Sequence, residues 1–322
     1  MEEKPSKKKD YTFLDVKTCP YCNSTEFKRD GIRHGKQRFR CKNCRRTFTA
    51  ITGTMLANTK KSQKKWEDFV IQFTNDATLI ASHEYSSINK NTARLWRIKM
   101  MRCLGEIVSS TILNGNVWID EIYFDVSKKD MITNDKGLLL HGISRNKIAV
   151  EVAIDENNNT YAVVMGTGKP TSEMIIDALK GHISSGSTII HDNFHGHQEY
   201  LKMMQLENIS IGSGKPGYFK LMQTANQFCA LIKRVFVLHV GISRNHIQDY
   251  LNWACLRQRL RSIRSRERKD YVLKLCASTK ISYKRPRKKS SAHRIYEYLS
   301  VEKNRVFFSD SICSKINGFG IE

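Results

Sequence analysis

The stretch Val117–Phe124, VWIDEIYF, sets the fold class that the rest of the chain must satisfy. Its aromatic and β-branched residues predict a largely buried strand. Because side chains alternate along a strand, Asp120 shares one face with Trp118 and Ile122, whereas Glu121 points to the other face. A carboxylate among apolar neighbours costs free energy unless it is paired or binds a metal ion. Asp120 is therefore a candidate functional residue.

The residues that follow this stretch predict alternating strands and helices. Strands are expected at 138–143, 147–154, 160–164, 187–191 and 209–211, and helices at 171–182, 198–205, 221–239 and 243–263. Three strands in a meander, followed by alternating strands and helices, predict a mixed α/β sheet flanked by helices.

Polar side chains occur at two further points of this predicted sheet. Asp192 closes strand 187–191, where an α/β sheet normally places its ligand groups. Asn226 and Lys233 lie two helical turns apart on one side of helix 221–239, giving one oxygen ligand with a positive charge beside it. Asp120 and Asp192, on neighbouring strands, can converge on one divalent cation. The alternative is that both carboxylates are structural and Asn226 is an ordinary helix-surface residue.

Three histidines, His191, His195 and His197, surround Asp192 in the sequence. Imidazoles can bind zinc or act as a general base. Histidines in loops more often face solvent or contact phosphate, so we expect no ligand role for these three.

Residues 60–108 have helical periodicity, with Trp66, Phe69, Val70 and Phe73 on one apolar face. A short helix, a turn and a third helix capped by Ser87 follow, which is the layout of a helix-turn-helix. The side chains expected to face outward near the start of the third helix, and to contact DNA, are Asn89, Lys90, Asn91, Arg94 and Arg97. A plain helical bundle is the alternative.

Two cysteine pairs, Cys19-x2-Cys22 and Cys41-x2-Cys44, precede this helical region with 18 residues between them. This spacing is typical of a tetrahedral zinc site with four thiolate ligands in a ribbon. The metal would supply the folding energy of so small a segment. Arg38 and Arg40 line the predicted hairpin and are candidate DNA contacts. The alternative is a pair of disulfides or free thiols.

The chain has 322 residues and a formal net charge of +23, concentrated in two regions. Residues 1–65 hold 18 basic and 6 acidic residues, and residues 256–289 hold 14 and 2. Such blocks predict salt-sensitive binding to nucleic acid, the alternative being a solvated surface. We expect no membrane span. The remaining cysteines are scattered and odd in number, as suits reduced thiols in a cytoplasm.

The order WIDEIYF, IIHDN and ANQFCALIKR, which carries Asp120, Asp192, Asn226 and Lys233, resembles DDE-type insertion-sequence transposases. It is more similar to their ISXO2-like branch, which has an N-terminal zinc ribbon and an Asp-Asp-Asn/Glu-Lys signature. The segment 239–253 resembles that branch as well, and the similarity spans roughly residues 16–262. The resemblance implies a ribonuclease-H-like fold for residues 111–263, after a basic tail at 1–15, a zinc ribbon at 16–50 and a helix-turn-helix at 51–110.

The resemblance also implies a catalytic site with two Mg²⁺ (or Mn²⁺) ions held by Asp120, Asp192 and Asn226, while Lys233 contacts a phosphate. The expected function is to bind terminal inverted repeats and to cut and join DNA strands, as a dimer or larger oligomer on DNA near the nucleoid. The basic segment 264–322 would hold flanking or target DNA. Asn226 replaces the common third carboxylate. A catalytically inactive DNA-binding regulator, or an RNA-processing nuclease, is the alternative.

Overall fold

The computed structural model describes residues 15–57, 59–126, 131–239, 242 and 246–278. The predicted basic tail, apart from Asp15, and residues 279–322 of the basic C-terminal segment lie outside the described residues. No helix within the described ranges is both long and apolar enough to cross a lipid bilayer.

The secondary structure begins with three strands and three helices. These are β1 (Phe27–Arg33), β2 (Lys36–Cys41), β3 (Thr47–Thr49), α1 (Gln63–Thr74), α2 (Leu79–Tyr85) and α3 (Lys90–Ser109). The larger part that follows combines strands with helices. Its elements are β4 (Asn116–Asp125), β5 (Lys147–Asp155), β6 (Thr160–Thr167), α4 (Ser172–Leu179), β7 (Thr188–Asp192), α5 (His197–Met204), β8 (Glu207–Ile211), α6 (Tyr218–Leu221), α7 (Gln223–Leu238), α8 (Ile247–Arg259) and α9 (Ser265–Ser278).

Strands β1, β2 and β3 form a small antiparallel sheet in that order. The core of this sheet is minimal, since Phe27, Phe39 and Phe48 pack ring to ring at centroid distances of 5.4–5.6 Å. Beside the rings lie Cys19 and Cys41, both buried. So few apolar contacts cannot stabilise a sheet of this size without a further crosslink.

Helices α1, α2 and α3 pack around aromatic side chains. Trp66 of α1 stacks on Trp96 of α3 at 3.6 Å, and Phe69 meets Trp96 edge to face. The buried face predicted for α1 is therefore confirmed. The predicted cap is wrong. Ser87 has a left-handed φ of 47°, whereas an N-cap residue is usually extended, and Asn89 caps α3 instead by accepting a hydrogen bond from the Asn91 amide.

The central sheet has the strand order β6-β5-β4-β7-β8. Strands β4, β5 and β6 form an antiparallel meander, and β7 and β8 extend it in parallel with β4. The mixed α/β sheet predicted from the sequence is therefore present. Its antiparallel half pairs neighbouring strands over most of their length, and its parallel half sets the carboxyl end of β7 beside the middle of β4.

One predicted strand of the meander is wrong. Residues 138–143 form no strand, apart from an isolated bridge between Leu139 and Thr133. Leu138, Leu139 and Ile143 are about half exposed, so this apolar run has no partner surface to bury against. Strand β6 takes the third place in the meander.

The C-terminal segment is predicted to be irregular from residue 264, but its described part is the helix α9. Val272, Leu273 and Cys276 lie on one side of this helix and are buried. They join the core that α1 and α3 share with the central sheet. The helical spacing of these three residues supplies the apolar stripe that an irregular segment would lack.

Candidate active site

The parallel strands β4 and β7 bring two aspartates to matched positions, Asp120 in the middle of β4 and Asp192 at the carboxyl end of β7. The two strands pair in parallel, and Trp118 lies opposite Ile190 at the last ladder pair. Two residues further along each strand are Asp120 and Asp192. Because side chains alternate, both carboxylates point to the same face as that ladder pair, and the charge of Asp192 acts on Asp120. The predicted convergence of these two residues is therefore consistent with the strand register.

Helix α7 covers the face from which the two aspartates emerge. Trp118 donates a hydrogen bond from its indole nitrogen to the carbonyl oxygen of Leu221, the last residue of α6, at 2.8 Å, which fixes the residues leading into α7 over β4. Ile190 packs against the same end of the helix. Further along the helix, Cys229 Sγ lies 3.6 Å from Asp120 Oδ2. The sequence predicts Cys229 as a buried apolar residue and gives no sign of its contact with the carboxylate.

Asn226 and Lys233 flank Cys229 on this helix. Asn226 is half-buried and three residues before Cys229, whereas Lys233 is exposed and four residues after it. The charge of Lys233 acts on the Cys229 thiol, which in turn contacts Asp120. The helix therefore places an amide and an ammonium group on either side of the point where it contacts the aspartate.

The electrostatics of this face favour a bound cation. Burial raises the pKa of Asp120 to about 6, and the nearby carboxylates of Glu121 and Asp192 raise it as well. The Cys229 thiol also has a raised pKa, chiefly through burial and then through Asp120. Two carboxylates and an amide oxygen are hard oxygen donors, which is the donor set that Mg²⁺ and Mn²⁺ accept. The residues present therefore fit the implied metal ions.

The opposite face of the sheet carries a second polar cluster that the sequence does not indicate. Glu121 of β4 and Glu151 of β5 lie directly opposite each other, and His197 at the start of α5 approaches both. Burial raises the pKa of Glu151 to about 7. Burial alone would lower the pKa of His197, but the two carboxylates outweigh it and raise the value to about 10. A glutamate inside the apolar run of β5 is the signal that could have revealed the cluster.

The histidines around Asp192 differ from the sequence prediction. His195 is exposed, as expected for a loop residue. His191 and His197 are buried, and their rings meet edge to face at 5.3 Å. His191 belongs to β7 and His197 to α5, so neither lies in a loop.

The four cysteines of the N-terminal sheet come together in one cluster. Cys19 Sγ lies 3.6 Å from Cys44 Sγ, and Cys22 Sγ lies 3.6 Å from Cys41 Sγ. A disulfide requires an S–S distance of about 2.05 Å, so this alternative is excluded. Tetrahedral coordination with Zn–S bonds of about 2.3 Å gives S···S distances of about 3.8 Å. The cluster therefore has the ligands and the dimensions of a four-thiolate zinc site.

The side chains that the sequence predicts to contact DNA differ in exposure and in their partners. Arg38 and Arg40 both approach Asp30 across the hairpin, at 2.9 and 3.7 Å, with Arg40 the more exposed. At the start of α3, the four exposed side chains are Asn89, Lys90, Asn91 and Arg94.

Arg97 does not face outward, and this prediction is wrong. The side chain is 5% exposed and donates hydrogen bonds to the Ala77 carbonyl at 2.7 Å and to Ser82 Oγ at 3.0 Å. It also lies 3.4 Å from His239 Nδ1 at the end of α7. Arg97 is one residue beyond Trp96 and one turn beyond Ala93, which places it on the buried side of α3. It holds α2 and α7 against α3 and cannot contact DNA in this arrangement.

Comparison with known proteins finds one informative relative. No protein-family model matches the sequence. An uncharacterized protein in the transposable element ISH50 of Halobacterium salinarum is 24% identical over 251 residues, covering 74% of this chain and 84% of that protein.

Three solved structures have weaker similarity to this chain. A chain of the simian T-cell lymphotropic virus intasome is 16% identical, over 44% of this chain and 48% of that chain, with a TM-score of 0.30. A chain of the pre-cleavage Mos1 transpososome is 14% identical, over 70% of this chain and 82% of that chain, with a TM-score of 0.21. A chain of the Drosophila P element transposase strand transfer complex is 10% identical, over 69% of this chain and 66% of that chain, with a TM-score of 0.26. By sequence, the chain is similar over most of its length to a protein carried by a mobile DNA element.

Proposed function

We propose that this protein is a DNA transposase of an insertion sequence, which binds the ends of its element and cuts and joins DNA strands. The observation that carries the proposal is the pair of aspartates, Asp120 and Asp192, at matched positions on two parallel strands beneath α7. The relative encoded in the transposable element ISH50 supports the same function.

The proposed active site contains Asp120, Asp192, Asn226 and Lys233 on a ribonuclease-H-like sheet. The first three residues would hold two Mg²⁺ or Mn²⁺ ions, which activate the attacking oxygen and stabilise the charge on the leaving oxygen. Lys233 holds the phosphate next to the scissile bond as a point charge. The hydrogen bond of Trp118 to the end of α6, two residues before α7, holds α7 over β4, so that the amide and the carboxylates keep one orientation during the reaction.

DNA recognition is assigned to the N-terminal elements. The four-cysteine cluster would bind one Zn²⁺ and make residues 16–50 a zinc ribbon, in which the exposed Arg40 can contact phosphate. Residues 51–110 would act as a helix-turn-helix, with the exposed side chains at the start of α3 in the DNA groove. The basic C-terminal segment would hold flanking or target DNA. Pairing of two DNA ends calls for at least a dimer on DNA, in the cytoplasm near the nucleoid.

The test is a cleavage assay on duplexes taken from the DNA that flanks the gene of this protein. Wild-type protein with Mg²⁺ or Mn²⁺ is expected to nick the duplex at the element end. Asp120→Ala and Asp192→Asn should each lower the rate by on the order of a thousandfold or more, because losing a metal ligand removes several kcal/mol of charge stabilisation. Both variants should still bind the duplex.

A matched control is Asp125→Asn, which changes an exposed carboxylate on the same strand and should leave cleavage intact. Cleavage that survives in Asp120→Ala would rule out the assigned site. Binding of the duplex without cleavage in any wild-type condition would favour the inactive regulator. Preferential competition by structured RNA would favour an RNA-processing nuclease.

A further inference from the structure

Glu121 and Glu151 point to the opposite face of the sheet from Asp120 and form a buried cluster with His197, which also lies near Asp192 at the end of β7. Glu151 and His197 are fully buried, and the Glu121 side chain is 6% exposed. Glu121 and Glu151 are direct cross-strand neighbours, an arrangement in which two like charges repel. A positive charge must offset this repulsion, because a buried carboxylate without an opposite charge costs several kcal/mol of folding free energy.

The described residues offer too little positive charge for this purpose. His197 is the single base within salt-bridge distance of either carboxylate in the described part of the chain. Even a protonated imidazole leaves the ionised cluster with a net charge of −1. Two carboxylates, a neutral imidazole and one divalent cation sum to zero.

The contacts of His197 have short distances but not the alignment of hydrogen bonds. Its Nε2 lies 3.0 Å from Glu121 Oε1 and 3.5 Å from Glu151 Oε1. None of these three atoms has a hydrogen-bond partner, although all are buried. Ligands at about 2.05 Å from a tetrahedral zinc ion lie about 3.3 Å from each other, which the two observed distances bracket. One ligand atom of each of the three residues lies within 4.8 Å of the other two, so the three side chains converge without forming hydrogen bonds to one another.

We propose that Glu121, Glu151 and His197 bind a structural Zn²⁺ ion, separate from the four-cysteine cluster and from the proposed Mg²⁺ site. The donor set of two carboxylate oxygens and one imidazole nitrogen is one that zinc accepts. The ion joins β4, β5 and the start of α5 at one point. Because Glu121 adjoins Asp120 in β4, the ion also fixes the strand that carries the first aspartate of the proposed active site. The site itself does not depend on the proposed function.

The test is the zinc content of the full chain after loading with Zn²⁺ and gel filtration. Wild-type protein is expected to retain two equivalents of zinc. Cys41→Ser should retain one, because it removes only the four-cysteine site. Glu151→Gln and His197→Gln should each retain one as well, and Glu207→Gln, an exposed carboxylate on β8, should retain both.

Loading with Co²⁺ shows which site is missing and whether the variants are folded. Thiolate ligands give an intense charge-transfer absorption that oxygen and nitrogen ligands do not give. This absorption should persist in Glu151→Gln and disappear in Cys41→Ser, while the second equivalent of Co²⁺ remains bound in Cys41→Ser. One equivalent in wild type, or none in Cys41→Ser, would overturn the proposal and leave a buried His197 that shares a proton with the two glutamates. If Glu151→Gln fails to fold, wild type and Cys41→Ser still decide the question.

Discussion

Asp120 and Glu121 are adjacent residues with opposite orientations, and this alternation divides the chemistry of the sheet. The carboxylate of Asp120 faces α7 and Asp192, and that of Glu121 faces α5 and His197. A single strand can therefore supply one ligand to the proposed catalytic site and another to the proposed zinc site. Without a cation, each of these two carboxylates lowers the stability of the fold. The residues that the proposed metal sites require are therefore residues that destabilise the metal-free protein.

The first prediction concerns the stability of Asp120→Asn in Mg²⁺-free buffer. Folding raises the pKa of Asp120 from 3.8 to about 6, so ionising it in the folded state costs about 3 kcal/mol at about 1.36 kcal/mol per pKa unit. This cost is fully present above pH 6 and disappears as the pH falls below 4. At pH 8, Asp120→Asn should therefore unfold at a higher denaturant concentration than wild type, with a free energy of unfolding larger by up to about 3 kcal/mol.

The difference between the two proteins should shrink between pH 6 and pH 4 in denaturant titrations followed by circular dichroism. Mg²⁺ at pH 8 should stabilise wild type and leave Asp120→Asn unchanged, since only wild type has both aspartates. The Asp125→Asn variant loses only an exposed ion pair with Lys147, so its stability should stay within about 1 kcal/mol of wild type across this pH range. A variant less stable than wild type at pH 8 would show that Asp120 is not repelled in the folded state.

Helix α3 illustrates what periodicity predicts at the scale of an element. Its buried stripe follows from the spacing of its apolar residues, and so does the buried face of α1 that packs on it. The charge of Arg97 favours the outer face, although its spacing from Ala93 and Trp96 places it inside. The structure shows that geometry is the better guide than residue type at this position.

Other features could not be predicted because they depend on tertiary contacts. Glu121 and His197 are 76 residues apart, and no local pattern indicates that α5 starts beside β4. The run 138–143 has the composition of a strand, but whether a strand forms there depends on an available sheet edge. That Asp192, at the end of β7, lies on a strand next to Asp120 was predictable in kind, but the register of the two strands was not.

The second prediction compares two arginines of α3. Arg97→Ala should lower the free energy of unfolding by about 2–4 kcal/mol, because it leaves the Ala77 carbonyl and Ser82 hydroxyl without their donor and opens a cavity. Arg94→Ala, at an exposed position, should change stability by about 0.5 kcal/mol or less. Urea denaturation measures both changes.

The same two variants should differ in DNA binding. Arg94→Ala should weaken binding and reduce the slope of log Kd against log salt by about 1, as the removal of one phosphate-binding cation requires. The control for DNA binding removes an exposed positive charge outside the proposed interface. Lys202→Ala on α5 does so, whereas Lys99 on α3 is half-buried and therefore unsuitable. Equal destabilisation by both arginine variants would contradict the buried position of Arg97.

The whole molecule combines a continuous core with charge at its two ends. Trp253 of α8 donates to Asp76 between α1 and α2 at 3.2 Å, and Arg257 forms an ion pair with the same carboxylate. Side chains of α1, α3, α8 and the central sheet belong to one hydrophobic cluster. The helices proposed to bind DNA are therefore fixed to the sheet proposed to cut it, so the position of a bound DNA end relative to Asp120 is set by packing.

The third prediction concerns the basic residues beyond α9. Residues 279–289 contain six of them, and residues 290–322 have equal numbers of acidic and basic side chains. Truncation after residue 278 should therefore reduce the slope of log Kd against log salt for duplex DNA by up to about 5, at roughly 0.9 for each phosphate that the protein no longer neutralises. Truncation after residue 289 should leave the slope unchanged, because the charge it removes is balanced. Fluorescence anisotropy with a labelled duplex, at salt concentrations between about 50 and 200 mM, measures the slopes. Equal slopes for the two truncated proteins would show that the basic residues at 279–289 do not bind DNA.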